Sequence, residues 1–575
     1  MTIRVALVQP ARVFPDLPAG SRELAAIGSA RLIGDGEAIA SSCGRAALVG
    51  FAFERNGALS YLQLGRDAVE RIIASEGGWA VANLWGNFIL MWEGNAGQIF
   101  LLRSPLTGPA IFQTGHNVDG VGGLQETHCA FTDLALARSL GFPIDEPDAG
   151  VIDAYLRYPL LRSPRSGIAG VTEILPGEIS RLDRPGRLAA SWLPWDYAKS
   201  PPRRAEPEEL ANVVRACVGA WSERFARVQL ELSGGIDSSI VAACLAGRSR
   251  PWRAVTMVTP GPDGDERVYA RAVAARAAVS LDEIRIPDEP ADPLAPARGL
   301  RVRPGGFGLV APTDAAFLAS ARAFGADAIF SGTAGDGAFG YQTSIAPALD
   351  ALRYAGIRAA LRAAADQAEI MDDNIWNALR HGLRAWFRGI RLWPVDDLLL
   401  STRYASERPR HPWLADAGRV PPGQRRYGLG LLAIQPFLDG YERARHVPKI
   451  APLLSQPLIE FGLGVPSWQW GEGGVNRALA REAFRENLPE IVLTRRSKGR
   501  ILSMFLPAFE ANRQRLSSFL LDGWLAGSGI LDLDAIDALL AGRTQADTSA
   551  MLRILEFADI ERWARSIAGS DAHRQ

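Results

Sequence analysis

The stretch LELSGGIDSSIVAACL, residues 230–245, decides how this chain reads. RVQLELS (227–233) has the apolar run of a buried strand, and SSIVAACLAG has the pattern of a helix that ends at Gly247. Between them Ser233, Gly234, Gly235, Ile236, Asp237, Ser238 and Ser239 bring glycine amides and the free N–H groups of a helix start to one point, which attracts phosphate. The loop is not a Walker loop, which needs GxxxxGK[ST] and its lysine. Here a carboxylate, Asp237, stands among the anion-binding groups, an arrangement that makes chemical sense where Mg²⁺ bridges carboxylate and phosphate. A serine-capped turn accounts for a bare SGG; the full SGGxDSS between strand and helix favours a phosphate-binding loop.

Outward from this loop, strand and helix alternate. EELANVVRACVGAWSERF precedes it as a helix; WRAVTMVTP, DEIRIP and ADAIFSG (326–332) follow as strands, separated by helical stretches such as VYARAVAARAAV. Such alternation predicts a parallel doubly wound sheet with its ligand crevice at the carboxyl ends of the strands. Beyond residue 345 the spacing is mostly helical, as in ALDALRYAGIRAALRAAADQAEI. The first half reads differently: AALVGFAF (47–54), NFILMWEG (87–94) and QIFLLRS (98–104) are short apolar runs broken by Gly and Asn, as antiparallel strands would be. Helical patterns at 65–75 and 148–161 lie between them, giving mixed α and β layering. Proline and charge replace periodicity around 183–207, which reads as a linker. The expected domains are 1–200 and 205–575, and no internal repeat is visible.

Composition narrows the function classes. The chain has 575 residues with 63 basic and 63 acidic side chains, so it lacks the massed positive charge by which proteins hold a nucleic-acid backbone. It has no run of eighteen apolar residues, and MTIRVALVQP lacks the zones of a signal peptide, which predicts a cytoplasmic protein with no membrane partner. Cys43, Cys129, Cys217 and Cys244 show no CxxC spacing and the histidines no HxxxH pair, arguing against a disulfide framework or a zinc site. Only Lys199, Lys449 and Lys498 are lysine; every other basic residue is arginine. Codon bias in a GC-rich genome accounts for this, but it leaves a question about any site that needs lysine itself, since an ammonium can exchange a proton and a guanidinium effectively cannot.

The loop LELSGGIDSSIVAACL resembles the PP-loop of the ATP pyrophosphatase superfamily, and LSGGxDSS is similar in particular to its asparagine synthetase branch. SGTAGDGAFGY (331–341) resembles that branch's second signature, SGxGxDxxFGGY, and PLLSQPLIEFGLGVPSWQW (452–470) and GGVNRALAREAFRENLPEIVLTRRSKG (473–499) extend the likeness. Together with the amino-terminal half, these blocks look most like the macrolactam synthetases, or cyclases, that close the ring of lasso peptides. The resemblance implies that Ser233, Gly234, Gly235 and Ser238 hold the triphosphate of ATP, that Asp237 and Asp336 take Mg²⁺, and that Leu232, Val258, Ser331 and Gly332 line the nucleotide pocket. Lys498, in RRSKGR, falls at the family's catalytic lysine and would stabilise charge on the α-phosphate and then on the tetrahedral oxyanion. Arg477 is a weaker phosphate candidate; Arg495, Arg496 and Arg500 screen phosphate or face water.

Residues 1–200 resemble the class II glutamine amidotransferase domain: LWGNFILMWEG is similar to its L-x-G-x-F-A-F strand pair, LLRSPLTGPAIFQ to its LxRDPxGxxPLYY, and VTEILPGE to its closing LPPG. The implied fold is an N-terminal Ntn-type α+β sandwich joined to a PP-loop doubly wound sheet with a helical extension. Working members carry Cys at position 2 as nucleophile; this chain has Thr2, and the Arg-Asp of the RDP motif is Arg103-Ser104. The domain therefore reads as an inactive scaffold, and the nitrogen must arrive as an amine other than ammonia from glutamine.

The resemblance implies transfer of AMP from ATP to a carboxylate, release of pyrophosphate, and attack of an amine on the acyl-adenylate. For a lasso cyclase the substrate is a leader-cleaved precursor core peptide whose N-terminal amine closes on an Asp or Glu side chain, and the expected companion is a leader-removing cysteine protease. The readings to set beside it are a β-lactam or carbapenam synthetase, an ammonia-dependent amide ligase, and a non-catalytic chaperone of the precursor. Two positions depart from the family pattern. Thr333 replaces the Glu of asparagine synthetases and the Tyr of β-lactam synthetases, and its hydroxyl cannot be a base at neutral pH; an α-amino group, with a pKa of about 7.7–8.0, needs one less. Ser455 stands where glutamine-dependent synthetases have the Asp of PFLD.

Overall fold

A computed structural model describes the chain except residues 1–2, 10–16, 56–63, 121–122, 187, 189–190, 199–200, 260–263, 287–290, 297–298, 306–309, 389–391, 405, 497–504, 546 and 570–575. Its first half is built from the strands β1 (Val5–Gln9), β2 (Arg22–Ile27), β3 (Ala30–Gly34), β4 (Ala38–Ala40), β5 (Ala46–Glu54), β6 (Leu84–Glu93), β7 (Ile99–Arg103), β8 (Ile111–Gly120), β9 (Gly123–Phe131), β10 (Thr172–Ile174) and β11 (Ile179–Arg181). They form two antiparallel sheets in the orders β10-β8-β9-β1-β3-β2 and β11-β7-β6-β5-β4. Because side chains alternate across a strand, Val5 and Leu7 of β1 meet Ala47, Val49, Ile89, Met91 and Leu101 of the other sheet in a shared core. The opposite faces are covered too. Ala6 and Val8 pack into a cluster with the carboxyl-terminal helices through Phe509, Phe557 and Trp563, and Leu48, Phe53 and Leu90 into one that includes Val214 and Trp221 of the helix Pro207–Glu223.

The second half carries β12 (Val228–Glu231), β13 (Trp252–Val258), β14 (Leu281–Arg285), β15 (Ala328–Ser331) and β16 (Lys449–Ile450). All four pairings are parallel, in the order β14-β13-β12-β15-β16. The order reverses at β12, so the crevice between the carboxyl ends of β12 and β15 is the topological switch point where ligands bind in such sheets. The sheet expected from the alternation is therefore present, with one strand, β16, that the sequence reading did not foresee.

Other elements differ locally for identifiable reasons. The helix expected over 148–161 stops at Arg157, because Pro159 disfavours helical backbone at the residue before it. The mostly helical stretch expected beyond residue 345 is present as the helices Ala346–Ala355 and Ile357–Ile370, separated at Gly356 with φ +83°. Within the stretch read as a linker, Trp192 is buried and its indole N–H donates to Glu460 Oε1 at 2.8 Å. Glu460 also accepts both ends of the Arg55 guanidinium, at 2.6 and 2.8 Å, so one carboxylate clamps the two halves together. Among the described residues no helix is long and apolar enough to cross a membrane.

Candidate active site

The loop after β12 turns sharply at Gly234, whose φ of +68° suits glycine and whose missing side chain leaves room for the helix Arg267–Arg276: a Cβ there would lie 2.4 Å from Tyr269 Cβ. Serine hydroxyls then fix the loop. Ser238 Oγ accepts from the Ser233 amide at 3.2 Å and lies 3.2 Å from Ser233 Oγ, while Ser233 Oγ accepts from the Gly235 amide at 3.3 Å. Ser239 Oγ donates to Gly235 O at 2.7 Å, leaving Ser233 exposed at the mouth of the crevice and Ser238 buried beneath it. Asp237 follows in the first turn of the helix Ile236–Leu245, whose N-terminal dipole favours an anion. Leu232 follows the end of β12, Val258 and Ser331 close β13 and β15, and Gly332 follows Ser331, so all four pocket candidates lie at carboxyl ends of strands.

Asp336 comes to Asp237 by close backbone approach. A Cβ on Gly335 would sit 2.3 Å from Asp237 Cβ, so only glycine lets the loop after β15 rest on the first helical turn after β12. Between the two carboxylates stands Arg477, whose Nη1 donates to Asp237 Oδ2 at 3.0 Å and to Asp336 Oδ1 at 2.6 Å. Its guanidinium is buried with Nε unpartnered, and its backbone holds φ +60° at the start of the helix Ala478–Ala483. Arg477 is thus more central than its sequence context suggested, since nothing in GGVNRALA announces which carboxylates it will face. Asp237 is 15% and Asp336 41% exposed, so the pair opens to the crevice rather than closing into the core. The donor set fits Mg²⁺ held with a nucleotide: two carboxylates converge on one cationic group, beside a loop of hydroxyls and amides, and magnesium takes few carboxylates with phosphate oxygens and water. No group of three or more metal-ligating side chains occurs among the described residues.

Lys498 and Arg500 lie outside the described residues, but the chain leading to them is anchored. Arg481 donates to the carbonyls of Val492 at 3.1 Å, Leu493 at 2.5 Å and Arg495 at 3.0 Å. Burial holds its guanidinium below the ordinary arginine range, at about 10. Arg495 pairs with Glu266 at 2.5 Å, lies 4.0 Å from the centre of the Tyr269 ring and reaches Gly234 O at 3.4 Å. Arg495 therefore braces the glycine turn, whereas Arg496 is exposed and pairs with Glu369.

Thr333 Oγ1 accepts from Ser331 Oγ at 2.8 Å and borders, with Ser331, a cavity of about 40 Å³. Ser455 is buried, and its Oγ accepts from Trp221 Nε1 at 3.0 Å and donates to Pro452 O at 2.7 Å, a structural bridge just before the helix Gln456–Leu463. Ala334 holds φ +73°, a left-handed backbone that costs a residue with a Cβ about 1–2 kcal/mol. Ala334→Gly is therefore expected to raise unfolding stability by about 1 kcal/mol in denaturant titration; a loss of stability would show that the alanine methyl, which is buried, outweighs the strain.

In the amino-terminal half, Arg103 is committed to structure. Its Nη1 donates to Glu173 Oε1 at 2.5 Å and to Ile174 O at 3.0 Å, and its Nε to Gly108 O at 3.1 Å. Ser104 Oγ accepts from the Phe88 amide at 3.0 Å, joining β6 to the end of β7. Thr2 lies outside the described residues. Cys129 and Cys217 are buried and Cys43 and Cys244 partly so, all four as free thiols. Burial pushes Cys217 and Cys244 up to about 12, which keeps them from acting as thiolate nucleophiles.

No curated protein matches the chain in a sequence search. The family model for asparagine synthase matches residues 209–565, the span that holds the glycine turn, Asp237, Asp336, Arg477 and the segment entering RRSKGR. That match covers well over half of the chain, which therefore belongs to the asparagine synthase family of ATP-dependent ligases that form amide bonds.

Proposed function

We propose that this protein is a lasso peptide macrolactam synthetase. It activates an Asp or Glu side chain of a leader-cleaved core peptide as the acyl-adenylate and closes it onto the peptide's own N-terminal amine, with release of AMP and pyrophosphate. The observation that carries the reading is the convergence of Asp237 and Asp336 beside the Ser233–Gly234 turn at the switch point of the parallel sheet. Ser233, Gly235 and Ser238 offer hydroxyls and a helix start to the triphosphate, and the unpartnered Arg477 Nε is a further buried donor. Mg²⁺ on Asp237 and Asp336 would neutralise the triphosphate and the departing pyrophosphate. Lys498 would stabilise the tetrahedral oxyanion; Arg495, three residues earlier, already touches the glycine turn.

The choice of an internal amine rests on the amino-terminal half. Arg103 is spent on Glu173 and Ser104 on the Phe88 amide, so the motif that serves glutamine in amidotransferases serves packing here. An amine on the same molecule needs no ammonia supply, and holding both ends of one peptide together lowers the barrier by several kcal/mol, within the ~7–11 kcal/mol available to well-oriented intramolecular reactions. A cysteine protease that removes the leader is the expected partner, because the amine must be freed before it can attack.

Incubation with ATP, Mg²⁺ and a synthetic core peptide, read by mass spectrometry, tests the reading. The expected product is the peptide less one water, formed equally by Thr2→Ala and lost in Lys498→Ala. A loss of water from a small β-amino acid, with no change in any core peptide, would replace it with a β-lactam synthetase. Loss of cyclisation in a folded Thr2→Ala would overturn the scaffold role of the first half.

A further inference from the structure

Lys449 is one of the chain's three lysines, and it stands on the strand the sequence did not reveal. β16 pairs with β15 so that Lys449 lies opposite Ile329, and β12 pairs with β15 so that Glu231 lies opposite Ser331. Since side chains alternate along a strand, Lys449, Glu231 and Ser331 share one face of the sheet, with Ser331 two positions nearer the crevice. Lys449 borders the cavity of about 40 Å³ together with Ser331 and Thr333, room for a small polar group. Thr333 lines the same space, and its hydroxyl cannot take a proton at neutral pH.

The groups facing Lys449 leave its amine unpaired with any carboxylate. Glu231 of β12 pairs with Arg443 Nε at 2.7 Å, and Asp314 of the helix Ala311–Phe324 pairs with Arg443 Nη1. Lys449 Nζ instead lies 4.1 Å from the centre of the Tyr441 ring, and among the described residues no acid lies within ion-pair distance of it. Nearly every other basic residue of this chain is arginine, and a buried ammonium, unlike a guanidinium, can give up its proton near neutral pH.

We propose that Lys449 is the base that takes the proton from the attacking amine. This rests on the amide-forming reading above and supplies the proton acceptor that reading lacks. As the amine nitrogen bonds to the adenylate carbonyl carbon, its N–H proton passes to the neutral Lys449 Nζ. The carbon–oxygen bond to the phosphate then breaks with its electron pair, AMP departs as the anion, and Lys449 returns its proton to water. Burial and the Arg443 charge, set against Glu231 and Asp314, hold Lys449 below the ordinary lysine range at about 8, so on the order of a tenth of it is neutral at pH 7.

Lys449→Arg keeps a cation over Tyr441 and removes the base. With ATP, Mg²⁺ and core peptide it is expected to keep wild-type peptide-dependent ATP–pyrophosphate exchange while ring closure falls about 10²–10⁴-fold. Hydroxylamine, largely unprotonated at neutral pH, should still capture the adenylate as hydroxamate at the wild-type rate in both Lys449→Arg and Lys449→Met. Ring closure by Lys449→Arg at the wild-type rate overturns the proposal, as does equal loss of hydroxamate and ring closure in both variants, the mark of a purely structural lysine. Absence of exchange in the wild-type protein with every carboxylate peptide would instead bring down the functional reading itself.

Discussion

Asp237→Asn is expected to lower product formation from ATP by about 10²–10³-fold while leaving the fold intact. The substitution is nearly isosteric, and Ser233, Ser238 and Ser239 hydroxyls make hydrogen bonds that shape the glycine turn and that it leaves in place. Arg477 keeps Asp336 at 2.6 Å and exchanges its contacts with a carboxylate for contacts with an amide oxygen, a structural cost of about 1–3 kcal/mol. The functional loss is larger because a neutral amide is a poor ligand for a hard cation and leaves the triphosphate's charge unbalanced. The checks are a urea titration and a Mg²⁺ titration of activity: the variant should need far more Mg²⁺ with a nearly unchanged unfolding curve. Wild-type activity at ordinary Mg²⁺ would remove Asp237 from the site.

The second large effect lies far from the chemistry. Glu173 is buried among Arg103, Arg162 and Arg303, of which Arg103 and Arg162 belong to the first half with it and Arg303 to the loop that follows β14. Burial alone would raise its pKa, but the Arg303, Arg162 and Arg103 charges outweigh that and hold it at about 2 against an ordinary 4.5. Glu173→Ala takes the shared carboxylate away from three guanidinium groups in low dielectric, of which Arg162 keeps Asp439, and is expected to cost about 3–5 kcal/mol. The sign of the pH dependence follows from the depressed pKa: the carboxylate's contribution is fully present above about 4.5 and fades as pH falls from there toward 2. The gap in unfolding free energy between wild type and Glu173→Gln should therefore be widest at neutral pH and narrow through that acid window. A gap that stayed constant down to pH 2.5 would mean that shape, not charge, is what Glu173 supplies.

The parts of this architecture legible in sequence are those carried by local pattern. The runs WRAVTMVTP and ADAIFSG matched β13 and β15 because strands covered on both faces are rich in apolar residues, and RVQLELS and DEIRIP matched β12 and the edge strand β14, where polar residues alternate with apolar ones. The turn SGGIDSS was readable because its glycines and serines are needed for backbone reasons at fixed spacing. β16 was not, since a strand of two residues has no period to detect. Nor was Arg477 between the carboxylates: it lies 240 positions from Asp237 and 141 from Asp336, and no local pattern encodes which distant charges a side chain will meet. The ion pairs that join the halves, Arg55 with Glu460 and Arg303 with Glu173, are long-range in the same way. Position 455 departs from the family pattern, and the fold uses its buried hydroxyl to bridge Trp221 and the Pro452 carbonyl.

The most direct test of nucleotide activation at this crevice is an isotope transfer. With core peptide carrying ¹⁸O in its Asp or Glu side-chain carboxylate, formation of the acyl-adenylate and its collapse must leave one ¹⁸O in the phosphate of AMP. The account predicts AMP heavier by one such label in step with ring closure. Unlabelled AMP, or label appearing in inorganic phosphate with ADP as the other product, would contradict it.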